Sequence, residues 1–440
     1  MNRALSRRLK ADSHRIVHLV FIGTKPDIIK QAPVYHALKD KNELVIVCHT
    51  GQHYDFNNSK AILEELNIRV DTNFKIHGTI TNKISQIIRQ TGKLISDIES
   101  YGKKVIPYVH GDTLTAHGAA LGAILVRVAP VHIESGLRTM TPKPILYEQH
   151  IANFAKGCFK FGKYLEDIKN INNYEHGSFE PFPEQIDTRV IDEIAAIKFV
   201  PTKINFDNVA SERGLADGIS IVGNTISDAV KSSLAAPYKN QNFISLSGRK
   251  NFVFFTVHRR ETCEDLRRFN IIIDLIEQLA KNQINTMVVM HPVFLHGVEL
   301  TSRQRFKKII TDYPDVISAI DPIPYHSDTI KIIKQSRLVI TDSGGIQEET
   351  NILEKYCVTL RYGTDRIESV ISGSNILAPL VSSDFIFEII KNVLELPKNS
   401  VRPLYGENVA EKIVDYTLKH IDDDTGLFRT EEQRLDLLCQ

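Results

Sequence analysis

The chain lacks any pair of cysteines spaced for a metal or redox site. Its five cysteines, Cys48, Cys158, Cys263, Cys357 and Cys439, are scattered over 440 residues with no Cys-x-x-Cys. That argues against a disulfide framework and a structural zinc site, and for free thiols in a reducing compartment. The chain also lacks net charge: the formal value is +1, so no bulk field draws it to nucleic acid or to a membrane. No apolar run is long enough to span a bilayer. The opening MNRALSRRLKADSHR is basic but has no apolar signal-peptide core, and residues 1–14 read as an extension of a cytoplasmic protein. What is present is ordinary: 42% hydrophobic and 24% charged residues, enough to bury sizeable cores in a globular chain of two or three domains.

Short β-rich runs alternate with helical patterns. Arg15–Ile22 reads as a strand, Gly23–Pro26 as a loop and Asp27–Leu38 as a helix. Leu44–Cys48, Val105–Val109 and Val128–Ile133 are further apolar runs, the last two ending at His110-Gly111-Asp112 and Glu134-Ser135-Gly136. Pro107 is a blemish for a central strand. The rhythm returns with Ser220–Val222, Phe252–Val257, Thr286–Met290, Val316–Ile320, Leu338–Ile340 and Val358–Leu360. Repeated β-loop-α units predict an α/β protein of two Rossmann-like, doubly wound domains joined near Pro201-Thr202. Met140–Phe182 breaks the rhythm. It is rich in Lys, Asn, Gly, Tyr and Phe, shows no clear strand, and reads as a lid, a binding loop or a disordered insertion.

In open α/β sheets, ligands bind beyond the carboxyl ends of the strands. Lys25, Asp27, Lys30, Gln52, His53, Asp112, Glu134, Glu184, His258, Arg259, Arg260, His291, Ser343, Glu349 and Arg366 fall at such ends. Cations suit phosphates. Carboxylates beside a phosphate need another task, such as proton transfer or hydroxyl binding. A nucleotide sugar meets both demands. Taken singly, each residue has a plainer explanation: His53, His110 and His132 as core or cap histidines, Asp112 and Glu134 as helix caps, Arg259-Arg260 as a solvated pair. Residues 341–350, TDSGGIQEET, are alone better explained as a capped helix start than as an anion cradle. The plain explanations account poorly for the joint placement.

The motifs HGDT (110–113), HIESGLRT (132–139), PEQ (183–185), GNT (223–225), HRRE (258–261), TDSGGIQEE (341–349) and TDRIES (364–369) occur in this order. Together they resemble the non-hydrolysing UDP-N-acetylglucosamine 2-epimerases. GTKPDIIKQAP (23–33), TGQH (50–53) and YGENVAEKI (405–413) are similar to the opening, an early turn and the closing helix of that family, so the resemblance covers roughly residues 15–421. It implies a GT-B fold, with the two Rossmann-like domains facing a cleft. It also implies interconversion of UDP-GlcNAc and UDP-ManNAc through a 2-acetamidoglucal, with no cofactor and no metal, in a homodimer that supplies surface polysaccharide.

By resemblance, Asp112, Glu134 and Glu184 are the carboxylates of proton transfer and sugar handling, Lys30 the active-site lysine and His258 the histidine at the diphosphate. Lys25, Asp27 and Arg259 join the substrate-binding set. Ser343 with the Gly344 and Gly345 amides is expected to hold phosphate, Glu349 the ribose hydroxyls, and Arg366 to assist near sugar or phosphate. Gln52 and His53 match a region that binds activator in bacterial members. The sequence departs from the family at Lys25 (Arg expected), Asp27 (Glu), Gln185-Ile186-Asp187-Thr188 (Glu-x-Asn-Arg), Val293-Phe294 (Asn-Pro) and Ile367 (Pro). It also carries the long Met140–Phe182 connection. The expected division is a 15–200 domain holding the 140–182 insertion and receiving the 407–421 helix, a 201–406 UDP-binding domain, and a 422–440 tail. The departures leave open a hydrolysing relative, a GT-B glycosyltransferase and a non-catalytic UDP-sugar sensor.

Overall fold

The computed structural model describes residues 3–52, 56–176, 181–240, 251–291, 300–397 and 400–422. The chain divides into two compact units, one of Met1–Leu137, Phe179–Ala229 and Tyr405–Gln440, the other of Arg138–Ser178 and Val230–Leu404.

Strands are numbered along the chain. The first unit is built on β1 (Ile16–Ile22), β2 (Val45–His49), β3 (Thr72–Asn73), β4 (Lys104–His110), β5 (Val131–Ile133), β8 (Ile197–Val200) and β9 (Ile219–Ile221), in the order β3-β2-β1-β4-β5-β8-β9. All of its pairings are parallel. Parallel strands covered by helices on both faces are apolar throughout, which is why these runs stand out in the sequence. Pro107 sits in β4 without breaking it. The Lys104 amide bonds Arg15 O, so alternation turns the Pro107 nitrogen toward β5, whose pairing with β4 starts only at Tyr108. No ladder bond is lost there.

The second sheet contains β10 (Val253–Thr256), β11 (Thr286–Val289), β12 (Ile317–Ile320), β13 (Leu338–Thr341), β14 (Cys357–Thr359) and β15 (Asn375–Leu377), in the order β12-β11-β10-β13-β14-β15. Both sheets reverse their winding beside the first strand of the unit: at β1/β4 in one, at β10/β13 in the other. Such a reversal leaves a crevice at the carboxyl ends of the strands.

Three expectations about organisation need correction. First, residues 1–14 are not a free extension. Helix Arg3–Ala11 buries Leu5 and Leu9 in the core with Val17, Leu44, Ile46, Ile95 and Ile98. Arg8 bonds Asp71 at 2.8 Å, and Lys103 Nζ reaches the Asp12 and His14 carbonyls. Second, the first sheet runs past residue 200 through β8 and β9, so the division falls at 229/230.

Third, most of the Met140–Phe182 stretch, as far as Ser178, belongs with the second unit, and residues 140–176 are folded. β6 (Met140–Pro142) and β7 (Tyr174–His176) pair antiparallel and close a hairpin of helices Pro144–Ala155 and Phe161–Lys169. Met140 exchanges backbone hydrogen bonds with Thr364 at 2.9 and 3.0 Å. Phe154, Phe159 and Tyr164 meet Phe385 at ring distances of 5.4–5.8 Å. The Tyr164 and Tyr147 hydroxyls donate to Leu377 O (2.6 Å) and Tyr362 O (2.8 Å). The aromatic richness that looked like loop composition is a packing surface.

Helix Val409–Asp422 lies on helix Lys25–Asp40 in the first unit. The contact includes a 2.5 Å Lys41–Asp415 ion pair.

Candidate functional site

In the first unit, three adjacent strands deliver the candidate groups. Helix Lys25–Asp40 follows β1, the turn His110-Gly111-Asp112 ends β4, and Glu134 ends β5. Lys30 Nζ lies 2.7 Å from both Glu134 oxygens, and His110 Nε2 lies 3.1 Å from Oε2. All three side chains are buried. A carboxylate so placed is held by charge-assisted bonds that offset its desolvation. Glu134 has φ 64°, the left-handed region that costs a non-glycine residue about 1 kcal/mol or more and is concentrated at functional sites. Asp112 is half-buried, directly before Thr113, which N-caps helix Leu114–Ile124. Glu184 opens helix Glu184–Ile194, which lies against Leu114–Ile124.

Asp27 turns inward. It forms a capping box with Thr24, whose amide it accepts at 3.0 Å, and takes the Thr113 hydroxyl at 3.4 Å. Burial pushes its carboxyl up to about 7 despite these bonds, since the charged form is poorly solvated there. The helix begins at Lys25, two residues earlier than the sequence pattern indicated, because Thr24 caps it and Pro26 suits its first turn. Gly23 is required by packing: a Cβ would come within 1.9 Å of Thr115 Oγ1.

Gln52 is engaged structurally. Its Oε1 accepts from Thr115 N (2.8 Å) and Thr115 Oγ1 (2.7 Å). His53 lies outside the described residues. At the departure after Glu184, Asp187 Oδ1 sits 2.6 Å from His117 Nδ1, and Thr188 is fully buried. Arg189, one position beyond the expected cation, turns back to Gln185 O at 2.7 Å.

The second unit assembles a different set at β10/β13. Asp342, fully buried, accepts from the amides of His258 (3.1 Å) and Arg259 (3.0 Å), while Arg259 Nε donates to Asp342 O at 2.9 Å. This ties the turn after β10 to the turn after β13. Ser343 occupies the N-cap of helix Gly344–Ile352 without a side-chain capping bond. A Cβ on Gly345 would meet nothing within 4 Å, and one on Gly344 would stand 3.6 Å from the Arg366 guanidinium.

Arg366 bonds Glu348 (2.5 Å) and Asp365 (2.6 Å), and Arg361 bonds the other Asp365 oxygen at 2.7 Å. Burial opposes charge on Asp365, but Arg366, Arg361 and Arg259 outweigh it and hold the carboxyl well below its ordinary range. Glu349 Oε1 is 2.8 Å from His326 Nε2, whose Nδ1 is 2.9 Å from Ser233 Oγ. Sequence reasoning gave no role to His326, whose partners lie 23 and 93 residues away; Glu348 and Asp365 fall inside the quoted motifs TDSGGIQEE and TDRIES but were not singled out. The rings of His258 and His291 stand 5.3 Å apart.

A profile of the family described as UDP-N-acetylglucosamine 2-epimerase matches residues 36–150 and 175–418. The chain belongs to the UDP-N-acetylglucosamine 2-epimerase family. The profile leaves out residues 151–174, most of the helical hairpin. The chain is 30% identical to UDP-N-acetylglucosamine 2-epimerase of Methanococcus maripaludis, over 90% of this chain and 96% of that one. It is 29% identical to the UDP-2,3-diacetamido-2,3-dideoxy-D-glucuronate 2-epimerase of Pseudomonas aeruginosa, over 91% and 99%. The structure of Methanocaldococcus jannaschii UDP-GlcNAc 2-epimerase in complex with UDP-GlcNAc and UDP aligns with a TM-score of 0.71 at 26% identity, covering 92% of this chain and 99% of that one. The fold is α/β, of the GT-B class of these epimerases. Among the described residues, no helix is long and apolar enough to cross a membrane.

Proposed function

We propose that the protein is an epimerase interconverting UDP-N-acetylglucosamine and UDP-N-acetylmannosamine. The observation that carries this reading is the buried Lys30–Glu134–His110 cluster at the carboxyl ends of β1, β4 and β5, next to Asp112. It is a set of titratable groups held in register, as proton transfer at carbon requires.

In the reading, a carboxylate takes the C2 proton while the C1–O bond breaks and its electron pair leaves with UDP, giving 2-acetamidoglucal. UDP then adds back at C1 as a proton is delivered to the opposite face of C2. Asp112, Glu134 and Glu184 supply the acid and base, Lys30 holds the Glu134 carboxyl in place, and Lys25 balances nearby negative charge. UDP is assigned to the second unit. The free amides at Gly344 and Gly345, with the helix dipole, suit the diphosphate; His258 and Arg259 add positive charge, Arg366 stands beside the phosphate turn, and the second oxygen of Glu349 is left for ribose.

Gln52 and His53 as an activator region, the homodimer, the cytoplasmic setting and a role in surface polysaccharide supply belong to the same proposal and rest on the resemblance. The scattered free thiols Cys48, Cys158, Cys263 and Cys357 agree with a reducing compartment.

A second reading, a different N-acetylated UDP-sugar, is favoured by Asp187, which is bound to His117, and by Thr188, since these two stand where the family pattern has Asn-Arg. It is also supported by the Pseudomonas relative.

The test is incubation with UDP-N-acetylglucosamine in D2O followed by NMR. UDP-N-acetylmannosamine deuterated at C2 is the expected product. Free sugar with UDP would point to hydrolysis. UDP binding with no exchange would overturn the epimerase reading for this sugar, and the diacetamido uronate analogue would then be tried.

A further inference from the structure

His132 and Asp192 belong to no motif role above, yet they touch the backbone or the helix of every carboxylate the reaction needs. His132 is in β5, two residues before Glu134. Its Nε2 lies 2.8 Å from the carbonyl of Gly111, the residue before Asp112. Its Nδ1 lies 2.7 Å from Asp192 Oδ1. Asp192 is in the helix that Glu184 opens. The same carboxylate accepts the Ser135 hydroxyl at 2.5 Å and the Gly136 amide at 3.3 Å, and these residues follow Glu134 directly. Both side chains are buried.

We infer that His132 and Asp192 are positioning residues that fix the Asp112 turn, the Glu134 turn and the Glu184 helix relative to one another. The inference rests on the reading of those three carboxylates given under Proposed function. A carbonyl oxygen cannot donate, so Nε2, which faces Gly111 O, carries hydrogen. Nδ1 is left to share a hydrogen with the Asp192 carboxyl. The left-handed backbone of Glu134 needs such support on both sides, because a strained residue persists only where its surroundings over-determine it. Lys30 supports the side chain; Asp192 supports the backbone that follows.

The test combines two variants with one spectroscopic measurement. Asp192→Asn should lower kcat for C2 exchange by roughly 30–100-fold, the scale of an ångström-sized misplacement, with UDP affinity within about twofold of the parent. Ser135→Ala removes one of the bonds to Asp192 and is expected to lower kcat about 3–10-fold, again without changing UDP affinity. The 15N NMR spectrum of His132 should show hydrogen on Nε2, the nitrogen that faces the Gly111 carbonyl.

If Asp192→Asn does not fold, Ser135→Ala and the ring signature of the parent decide. A Ser135→Ala protein with unchanged kcat would overturn the proposal. So would one whose kcat, UDP affinity and thermal midpoint fall together, and so would a parent ring with no hydrogen on Nε2. A parent protein without C2 exchange would fail the functional reading instead, and the ring signature, read without substrate, would still test the pair.

Discussion

The two units place opposite kinds of charge at the same topological point. At β1/β4 the first unit gathers ionisable groups of both signs: Glu134 with Lys30 and His110, Asp112, and Asp27 with its carboxyl pushed up to about 7. At β10/β13 the second unit gathers charge that stays fixed: Arg259, Arg361 and Arg366 around Asp342, Asp365 and Glu348, with a helix N-terminus beside them. Guanidiniums stay protonated throughout the working pH range and hold phosphate geometry, whereas carboxylates and imidazoles can exchange protons. Under the proposed function, one winding rule yields a proton-handling edge or an anion-holding edge, depending on which side chains end the strands.

That contrast can be broken most severely at Glu134. Glu134→Gln should reduce C2 exchange by about a thousandfold or more, since it removes a proton acceptor, while UDP affinity measured by calorimetry stays within a few-fold. Equal loss of both would erase the division of labour.

Asp27→Asn sharpens the same contrast through pH. The folded carboxyl titrates near 7 against 3.8 when exposed, so the folded state holds the proton more tightly. The stability associated with that proton is complete below about pH 4 and declines as pH rises to about 7. The variant should therefore gain stability relative to the parent across this window, up to roughly 4 kcal/mol. Denaturant midpoints at pH 5 and pH 8 would show it, and a pH-independent difference would refute it.

On the other side, Glu349→Gln should weaken UDP binding about 5–10-fold, roughly the difference between a hydrogen bond to a charged acceptor and one to a neutral acceptor. The maximal rate should stay near that of the parent, and an equal effect on 2′,3′-dideoxy-UDP would remove Glu349 from the ribose. Smallest of all, Tyr164→Phe deletes the bond to Leu377 O and should cost about 1 kcal/mol of stability with C2 exchange unchanged. Altered exchange would show that the hairpin reaches the chemistry.

Much of this was legible from the chain. The parallel strands are buried on both faces, so β1, β2, β4, β10, β11 and β13 appear as apolar runs ending in polar turns. β3 has two residues, too few for a pattern, while the polar Lys198 interrupts β8 and the polar Asn375 opens β15. The Met140–Phe182 stretch misled because its aromatic residues are matched by Phe385, more than two hundred residues on. Local composition cannot show such a partner. The basic N-terminal segment misled in the same way: Leu5 and Leu9 are two apolar residues among arginines until the core that receives them is present.

By itself, the sequence determined the α/β winding, the family and the residue types that end each strand, because burial periodicity and turn chemistry are local. Only the tertiary structure decided what those residues do to one another. Lys30 and Glu134 are 104 positions apart and lie at 2.7 Å. Asp27 became a buried cap rather than an open ligand. The insertion, as far as Ser178, joined the second unit rather than the first. In each case the deciding quantity is a desolvation cost offset by a bond at hydrogen-bonding distance. Such a bond exists only once the folded chain has brought distant segments together.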